Sequence, residues 1–133
     1  MTLFMLDTDA VSFALRGAGA VAARLTQRKP SELCMSAITL AELRFGAAQR
    51  ASRKIHRAID TFLTGVDVLP FDDAAAERFG VIAATLSADG EPIGQMDTLI
   101  AAHAISVGAT LVTNNERLFS KVSGLKIANW TSP

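Results

Sequence analysis

A short apolar run near the start of the chain, ending abruptly in an acid, constrains the fold more than any other feature. Residues 3–6 are all apolar, and Asp7 follows them directly. Four apolar residues in succession fit a buried strand and are too few for a helix. In open α/β folds, a polar residue at the end of a buried strand lies at the sheet edge where ligands bind. We therefore predict that Asp7 belongs to a functional site.

Further short apolar runs alternate with helical patterns along the chain. We predict strands over 33–35, 66–69, 110–113 and 125–128, and helices over 8–15, 18–27, 50–63, 72–89, 95–107 and 114–119, with one more helix carrying Leu40, Leu43 and Ala47. Thr8 or Asp9 is expected to cap the first helix, and Trp130 to pack against the sheet edge. This alternation is typical of an α/β fold in which helices cover both faces of a mostly parallel sheet. We find no linker composition, so we predict a single domain over 1–133.

The charges are balanced in total but not in distribution. The chain has 13 basic and 13 acidic residues, yet 16–57 holds nine basic residues against two acids, and 58–100 holds eight acids against one arginine. Such a division lets one part of the surface attract phosphate groups while another repels them. The simpler interpretation is a pair of solvated helix faces of opposite sign.

Several classes of protein are disfavoured by what the chain lacks. Its single cysteine, Cys34, excludes an internal disulfide and is interpreted as a core residue. No run approaches the roughly 18 apolar residues of a membrane span, and the N-terminus does not resemble a signal peptide. We therefore predict a cytoplasmic protein. His56 and His103 are interpreted as ordinary histidines with satisfied hydrogen bonds rather than as a metal-binding pair.

Three acids and one amide occupy equivalent places in the predicted fold. Asp7 and Asp97 open helices, Glu42 lies in the first turn of the helix after residues 33–35, and Asn115 follows a strand. Strand ends and helix beginnings share one edge of a parallel sheet, so these side chains are expected to converge. Clustered carboxylates repel one another unless a cation lies between them. A donor set of oxygen atoms alone favours Mg²⁺ or Mn²⁺ over zinc.

Each of these residues also has a purely structural interpretation. Asp7 and Asp97 could cap the helices that follow them, and Asn115 is an ordinary turn residue. Glu42 lies three residues after Thr39, which matches a capping box. The charge of Asp97 nevertheless precedes a strongly apolar helix, where an unpaired carboxylate would be costly.

Four segments, taken in order and at their spacing, resemble the PIN-domain family and, within it, the VapC toxins of bacterial type II toxin–antitoxin pairs. The segments are MLDTD at 5–9, SAITLAELRFG at 36–46, DTLIAAHA at 97–104 and LVTNNERLF at 111–119. Each is weakly specific alone, and the four together are far more specific. The resemblance covers essentially the whole chain and implies the three-layer PIN-like fold.

The resemblance implies a Mg²⁺- or Mn²⁺-dependent endoribonuclease that cleaves cellular RNA and inhibits translation and growth. Asp7, Glu42 and Asp97 match the three acids that bind the metal, and together with Asn115 they form the predicted catalytic set. The family often has a fourth acid where this chain has Asn115, which puts a second metal in question. Asp9 occupies a variable position and is not predicted to be a ligand. The RNA that is cut stays open, with transfer RNA among the candidates.

The resemblance also implies partners. They are a second copy of the chain, as a homodimer, and a small VapB-like antitoxin that pairs with promoter DNA through its own domain. For the RNA backbone we predict contacts with Arg44, Arg50, Arg53 and Lys54, although these could serve only the solubility of exposed helices.

Two alternatives stay open at this point. Asp7-Thr8-Asp9 after a strand also resembles the start of haloacid-dehalogenase-like phosphatases, but no lysine lies between Lys54 and Lys121 to complete that site. The second alternative is a PIN-like module that has lost catalysis and only binds RNA or assembles with partners. Asn115 is a step in that direction, and retention of the three acids argues against it.

Overall fold

The computed structural model describes residues 2–131, and within them it has five strands and seven α-helices. The strands are β1 (Phe4–Leu6), β2 (Leu33–Ser36), β3 (Asp67–Leu69), β4 (Thr110–Val112) and β5 (Lys126–Ala128). The helices are α1 (Thr8–Leu15), α2 (Val21–Thr26), α3 (Ala37–Gln49), α4 (Arg53–Phe62), α5 (Asp73–Ala88), α6 (Gln95–Ser106) and α7 (Glu116–Phe119), with a 3-10 turn at Pro30–Glu32. Each predicted element is present, with shifts of a few residues at its ends.

The five strands form one parallel sheet in the order β3-β2-β1-β4-β5. The chain winds outward from β1 to β3 on one side and then crosses to β4 on the other side. The direction of winding therefore reverses between β1 and β4, and the carboxyl ends of these two strands border a crevice where open α/β sheets bind ligands. The predicted α/β class with a parallel sheet is confirmed. The union of all strands in one sheet fits one domain over 1–133, which stays a prediction.

Helices cover both faces of the sheet, and the alternation of side chains along the central strand explains why. Phe4 and Leu6 of β1 point to a core formed with α1, α2, α3 and α4. Met5 points to the opposite core, formed with α5, α6 and α7. Successive side chains of a strand face opposite sides, so a strand buried on both faces must be apolar throughout. No helix among residues 2–131 is both long and apolar enough to cross a lipid bilayer.

The first helix is capped by Asp7, as the structural interpretation of that residue predicted, and not by Thr8 or Asp9. The Asp7 carboxylate accepts a hydrogen bond from the Ala10 amide at 2.8 Å, so Asp7 is the N-cap of α1. Thr8 and Asp9, the expected caps, are the first two helical residues. Asp7 follows β1 directly and caps α1, so its side chain stabilises the turn between the strand and the helix.

Two other helices start later than predicted, in both cases after a left-handed residue. Ala51 has a φ of 50°, which ends the preceding helical segment, and α4 begins at Arg53 rather than near position 50. Gly19 has a φ of 62°, and α2 begins at Val21 rather than at position 18. A residue in the left-handed region cannot continue a right-handed helix.

Trp130 packs deeper than the predicted sheet edge. Its ring lies 5.0 Å from the ring of Phe4 in the central strand, measured between centroids. The Arg28 guanidinium lies 4.6 Å from the Phe4 centroid and stacks over it. Because β5 is short, the indole that follows it reaches past the edge strand, and Trp130 is buried.

We expect Phe4→Ala to reduce the free energy of unfolding by about 3–5 kcal/mol, as is usual when a buried aromatic side chain is truncated. Trp130 is the only tryptophan and the chain has no tyrosine, so intrinsic fluorescence reports on this stack alone. The emission of the folded variant should shift to longer wavelength, and its urea midpoint should fall. Val81→Ala, at an exposed position of α5, should leave both unchanged. An unaltered midpoint in Phe4→Ala would contradict this role of the stack.

Candidate active site

A small cavity of about 220 Å³ opens at the carboxyl edge of the sheet, beside the ends of β1 and β4. The residues that line it are Asp7, Thr8, Asp9, Glu42, Asp97, Asn115 and Phe119. They come from four segments that are distant in sequence: the start of α1, the middle of α3, the start of α6, and α7 with the turn before it. The structure therefore brings together the four residues that the sequence predicted to converge.

Asp7 is the most buried of these acids, with 4% of its surface exposed. Its backbone amide donates to the Val112 carbonyl at 3.0 Å, which fixes it between β1 and β4. Burial raises the pKa of its carboxyl to about 6, although hydrogen bonds from the Thr113 hydroxyl and the Ala10 amide act in the opposite direction. The negative charges of Asp9 and Asp97 add to the rise. A buried carboxylate near other carboxylates is costly to ionise.

Glu42 is bound by a residue that the sequence analysis did not single out. The Thr8 hydroxyl donates to Glu42 Oε1 at 2.6 Å and links the start of α1 to α3. The capping box predicted from Thr39 is wrong, because Ser36 is the N-cap of α3 and Glu42 lies in its second turn. Among residues 2–131 the buried Thr39 hydroxyl has no hydrogen-bond partner. Glu42 is thus free of a capping role and faces the cavity.

Asp97 is the third residue of α6 and does not cap that helix. The N-cap is Gly94, with a φ of 97° and no side chain to offer. The cap interpretation of Asp97 is therefore wrong, and its carboxylate lines the cavity instead. Burial raises the pKa of Asp97, and the charges of Glu42 and Asp9 raise it further. The position still favours a negative charge in one respect, since it lies at the positive end of the helix dipole.

Asn115 is both a turn residue that caps a helix and a lining residue of the cavity, the two interpretations that the sequence left open. Its side-chain oxygen accepts from the Leu118 amide at 3.3 Å, so it caps α7 as a turn residue would. Its backbone amide donates to Thr113 Oγ1 at 3.0 Å, which ties the turn to the residue that hydrogen-bonds Asp7. The same residue lines the cavity.

Three lining or supporting residues were missed. Asp9 faces the cavity, and its charge acts on both Asp7 and Asp97. Thr8 holds Glu42, and Thr113 holds Asp7. A usable signal existed for Asp9, because a second acid in the first turn of a helix that starts at a site stays close to that site. The two threonines carried no comparable signal.

The cavity fits a divalent cation by its chemistry. Four carboxylates line it, and burial, followed by the charges of neighbouring acids, raises the pKa values of Asp7 and Asp97. Within the described part of the chain no three such side chains stand close enough together to grip one ion directly. Mg²⁺ does not require this, since it commonly binds through one or two carboxylates and keeps several waters. Oxygen donors alone favour Mg²⁺ or Mn²⁺.

A larger groove of about 780 Å³ lies beside the cavity and shares Thr8 and Glu42 with it. It runs between α1, α3 and α4, and apolar side chains form much of its wall, namely Leu15, Leu43, Ala47, Ile55 and Ala58. Basic side chains also line it, from Arg16, Arg50 and Lys54. The groove therefore joins an apolar surface and positive charge to the acidic cavity.

The four predicted RNA-binding residues do not share one place. Arg50 and Lys54 line the groove, whereas Arg53 is exposed outside its lining. Arg44 is engaged within the protein: its guanidinium donates to His56 Nδ1 at 3.0 Å and forms an ion pair with Asp60. Arg44 thus links α3 to α4. Of the four residues predicted to contact RNA, only Arg50 and Lys54 line the groove.

Comparisons with known proteins identify the family. The PIN domain pattern matches residues 4–125. The tRNA(fMet)-specific endonuclease VapC of Shigella flexneri is 38% identical over 133 residues, covering 98% of this chain and 100% of that protein. The ribonuclease VapC2 of Haemophilus influenzae is 37% identical, covering 98% and 99%. Among solved structures, the DNA-bound VapBC of Salmonella typhimurium matches with a TM-score of 0.88 and 36% identity over 98% of this chain and 99% of that one.

This chain belongs to the PIN-domain family, in its VapC branch. The resemblance based on four motifs is therefore confirmed, and with it the PIN-like fold and the class of RNA-cleaving hydrolase. The phosphatase alternative is wrong. The roles of the individual site residues stay predictions.

We expect Asp7→Asn to stabilise the metal-free protein at neutral pH. The folded protein holds the Asp7 proton up to a pH of about 6, whereas an unfolded chain releases it near the ordinary aspartate pKa of 3.8. Folding therefore binds a proton between these values, and the contribution of Asp7 to stability falls as the pH rises through them. Asparagine caps helices as well as aspartate and carries no charge.

The measurement is urea unfolding in EDTA at two pH values. Near neutral pH, Asp7→Asn should gain roughly 1–3 kcal/mol over the parent, and near pH 4 the two proteins should converge. Asp72→Asn is the matched control, since Asp72 caps α5 from an exposed position. A loss of stability in Asp7→Asn at neutral pH would contradict the costly burial of this charge.

Proposed function

We propose that this protein is a divalent-metal-dependent endoribonuclease, the toxin of a VapBC-type pair, and that it cuts initiator transfer RNA and so inhibits translation. The observation that carries the proposal is the convergence of Asp7, Glu42, Asp97 and Asn115 on one cavity. The substrate is inferred from two relatives, 38% and 36% identical, that are named tRNA(fMet)-specific endonucleases. Such a target places the protein in the cytoplasm.

Asp7, Glu42 and Asp97 are the residues that would hold the cation, Mg²⁺ or Mn²⁺, in part through water molecules that it retains. When bound, the cation lowers the pKa of a water molecule and offsets charge on the phosphate oxygens. The contacts around the acids suit this task. Thr8 fixes one oxygen of Glu42, and the Ala10 amide and the Thr113 hydroxyl fix the carboxylate of Asp7.

Asp97 is the best candidate for the general base. Its carboxylate lines the cavity, and in the metal-free protein burial and the neighbouring charges of Glu42 and Asp9 raise its pKa. It accepts a proton from the attacking water, the new P–O bond forms in line, and the ribose 3′ oxygen leaves. This route leaves a 5′ phosphate and does not use the 2′ hydroxyl.

Asn115 meets the phosphate rather than the cation in this proposal. Its side-chain oxygen already caps α7, and the NH₂ group of an amide can only donate. A donor at the rim of an acidic cavity can hold a phosphate oxygen without adding negative charge. The site therefore works with the three acids that bind the cation and one neutral donor.

A VapB-like antitoxin is the proposed protein partner, and the groove is its proposed site. Structural neighbours from Rickettsia felis and Salmonella typhimurium were solved as VapBC complexes bound to DNA. The apolar wall of the groove suits the apolar face of a peptide, and Glu42 at its end would come under the same cover. Promoter DNA would be bound through the antitoxin. We also propose a homodimer, in which a second copy covers Phe45, now 67% exposed.

The first test is cleavage of purified initiator and elongator transfer RNA by the antitoxin-free protein. We expect cleavage of the initiator in Mg²⁺ or Mn²⁺, none in EDTA, and a rate roughly 10²–10⁴ lower for Asp97→Asn, as for loss of a general base. The products should carry 5′ phosphates, and a 2′-deoxy substitution at the cut should not prevent cleavage.

Each other outcome has a distinct meaning. Cyclic 2′,3′ phosphate ends, or cleavage that survives both EDTA and Asp97→Asn, would contradict a metal-dependent hydrolysis. Binding of RNA in EDTA without cleavage under any condition would favour the non-catalytic PIN-like module instead. Equal cleavage of all transfer RNAs would leave the nuclease standing and remove the initiator as its specific target.

We expect the double variant Arg50→Ala/Lys54→Ala to raise the KM for RNA roughly tenfold with little change in kcat, because it removes phosphate contacts away from the cut. Its rate should also depend less steeply on salt concentration. Arg78→Ala, an exposed arginine of α5 on the opposite face of the sheet, is the charge-matched control. If kcat falls and KM does not, these side chains act in the reaction rather than in RNA binding.

A further inference from the structure

His103 is a buried polar residue that the proposed reaction does not use. It lies in α6, with 1% of its surface exposed, among apolar neighbours. Its ring meets the ring of Phe71 edge-on at 5.4 Å. Its Nδ1 atom lies 2.7 Å from Ser36 Oγ, across 67 positions of sequence. A polar side chain at such depth has to be hydrogen-bonded, so its partners define where it can sit.

The direction of this hydrogen bond follows from the other contacts. Ser36 Oγ accepts from the Ile38 amide at 3.1 Å, so its own proton is available to His103 Nδ1. The ring also hydrogen-bonds the backbone of Pro70, and a proline offers only a carbonyl there, so the ring donates. Burial lowers the pKa of His103, which fits a neutral ring with one donor and one acceptor. Both ring nitrogens are therefore satisfied.

The two partners belong to the two helices that carry acids of the cavity. Ser36 ends β2 and caps α3, and Glu42 lies six residues further along α3. His103 lies six residues after Asp97 in α6. The hydrogen bond thus joins the start of α3 to the last turn of α6. Helices are stiff over about 9 Å, the rise of six residues, so a displacement at this bond would reach both acids.

We propose that the Ser36–His103 hydrogen bond is a positioning device that fixes α3 relative to α6 and thereby sets the separation of the Glu42 and Asp97 carboxylates. This inference rests on the proposed metal site. Both carboxylates line one cavity of about 220 Å³, and like charges this close repel each other, so the contacts between α3 and α6 must resist a force that separates the helices. Apolar contacts allow some sliding between helices, whereas a buried hydrogen bond is directional and specifies one arrangement.

The test is the affinity of the full chain for Mn²⁺, measured by calorimetry without RNA. We expect Ser36→Ala and His103→Leu each to weaken Mn²⁺ binding about tenfold, the loss seen when residues that orient metal ligands are removed. The double variant should be no worse than either single one, because all three lack the same bond. His103→Asn should recover part of the affinity, since an amide oxygen near the Nδ1 position accepts from Ser36.

Ser52→Ala controls for the loss of a helix cap. Ser52 Oγ accepts from the Ile55 amide at 3.1 Å and caps α4, as Ser36 caps α3, and α4 carries no acid of the cavity. Each variant loses a helix cap and therefore some stability, but only Ser36→Ala should weaken Mn²⁺ binding. Circular dichroism shows whether each variant is folded. If His103→Leu does not fold, the comparison of Ser36→Ala with Ser52→Ala is the test.

Three results would overturn the proposal, and they are distinguishable. If the folded single variants bind Mn²⁺ as tightly as the parent does, the Ser36–His103 hydrogen bond only satisfies two buried polar groups and does not position the acids. Equal losses in Ser36→Ala and Ser52→Ala would assign the effect to capping. A folded parent that binds no Mn²⁺, with Asp97→Asn behaving alike, would remove the proposed metal site itself and this inference with it.

Discussion

The burial of a carboxylate at the end of the central strand is the constraint on which the rest of the structure depends. Asp7 ends β1, caps α1 and accepts a hydrogen bond from Thr113 beyond β4, so one side chain joins three elements. Each of these contacts stabilises the ionised form, and burial opposes them strongly enough to keep the pKa near 6. The metal-free protein therefore stores an unfavourable charge where a cation would be bound. Such local instability is common where a site serves function before stability.

The order of the strands explains how distant segments supply one cavity. Because winding reverses between β1 and β4, nothing crosses over the carboxyl ends of these two strands, and the chain leaves both of them at the same place. Asp7 follows β1 directly, and Asn115 is the third residue after β4. Glu42 and Asp97 come from helices that pack on opposite faces of the sheet and meet at the edge. The cavity thus needs the three-layer arrangement, and the buried bond between Ser36 and His103 joins its two outer layers.

Much of this could be predicted because strands and acids carry strong local patterns. The apolar runs fixed the sheet, and the parallel class followed from their alternation with helices, which brought the four residues to one edge. Prediction from local sequence failed where the same residue spacing fits two different structures. Thr39 and Glu42 have the spacing of a capping box. The N-cap of α3 is nevertheless Ser36, whose hydroxyl accepts a hydrogen bond from the Ile38 amide. Arg44 looked like its basic neighbours until the fold placed Asp60 beside it.

The neutral side chain of Asn115 suits a cavity that four carboxylates already line. Asp9 adds a carboxylate that acts on both Asp7 and Asp97, so four acids already line about 220 Å³. A fifth carboxylate at the rim would raise the pKa of its neighbours further and make the metal-free state still more costly. An amide there caps α7 and holds the turn without this repulsion. Position 115 is therefore best understood together with position 9, where Asp9 already supplies the fourth carboxylate of the cavity.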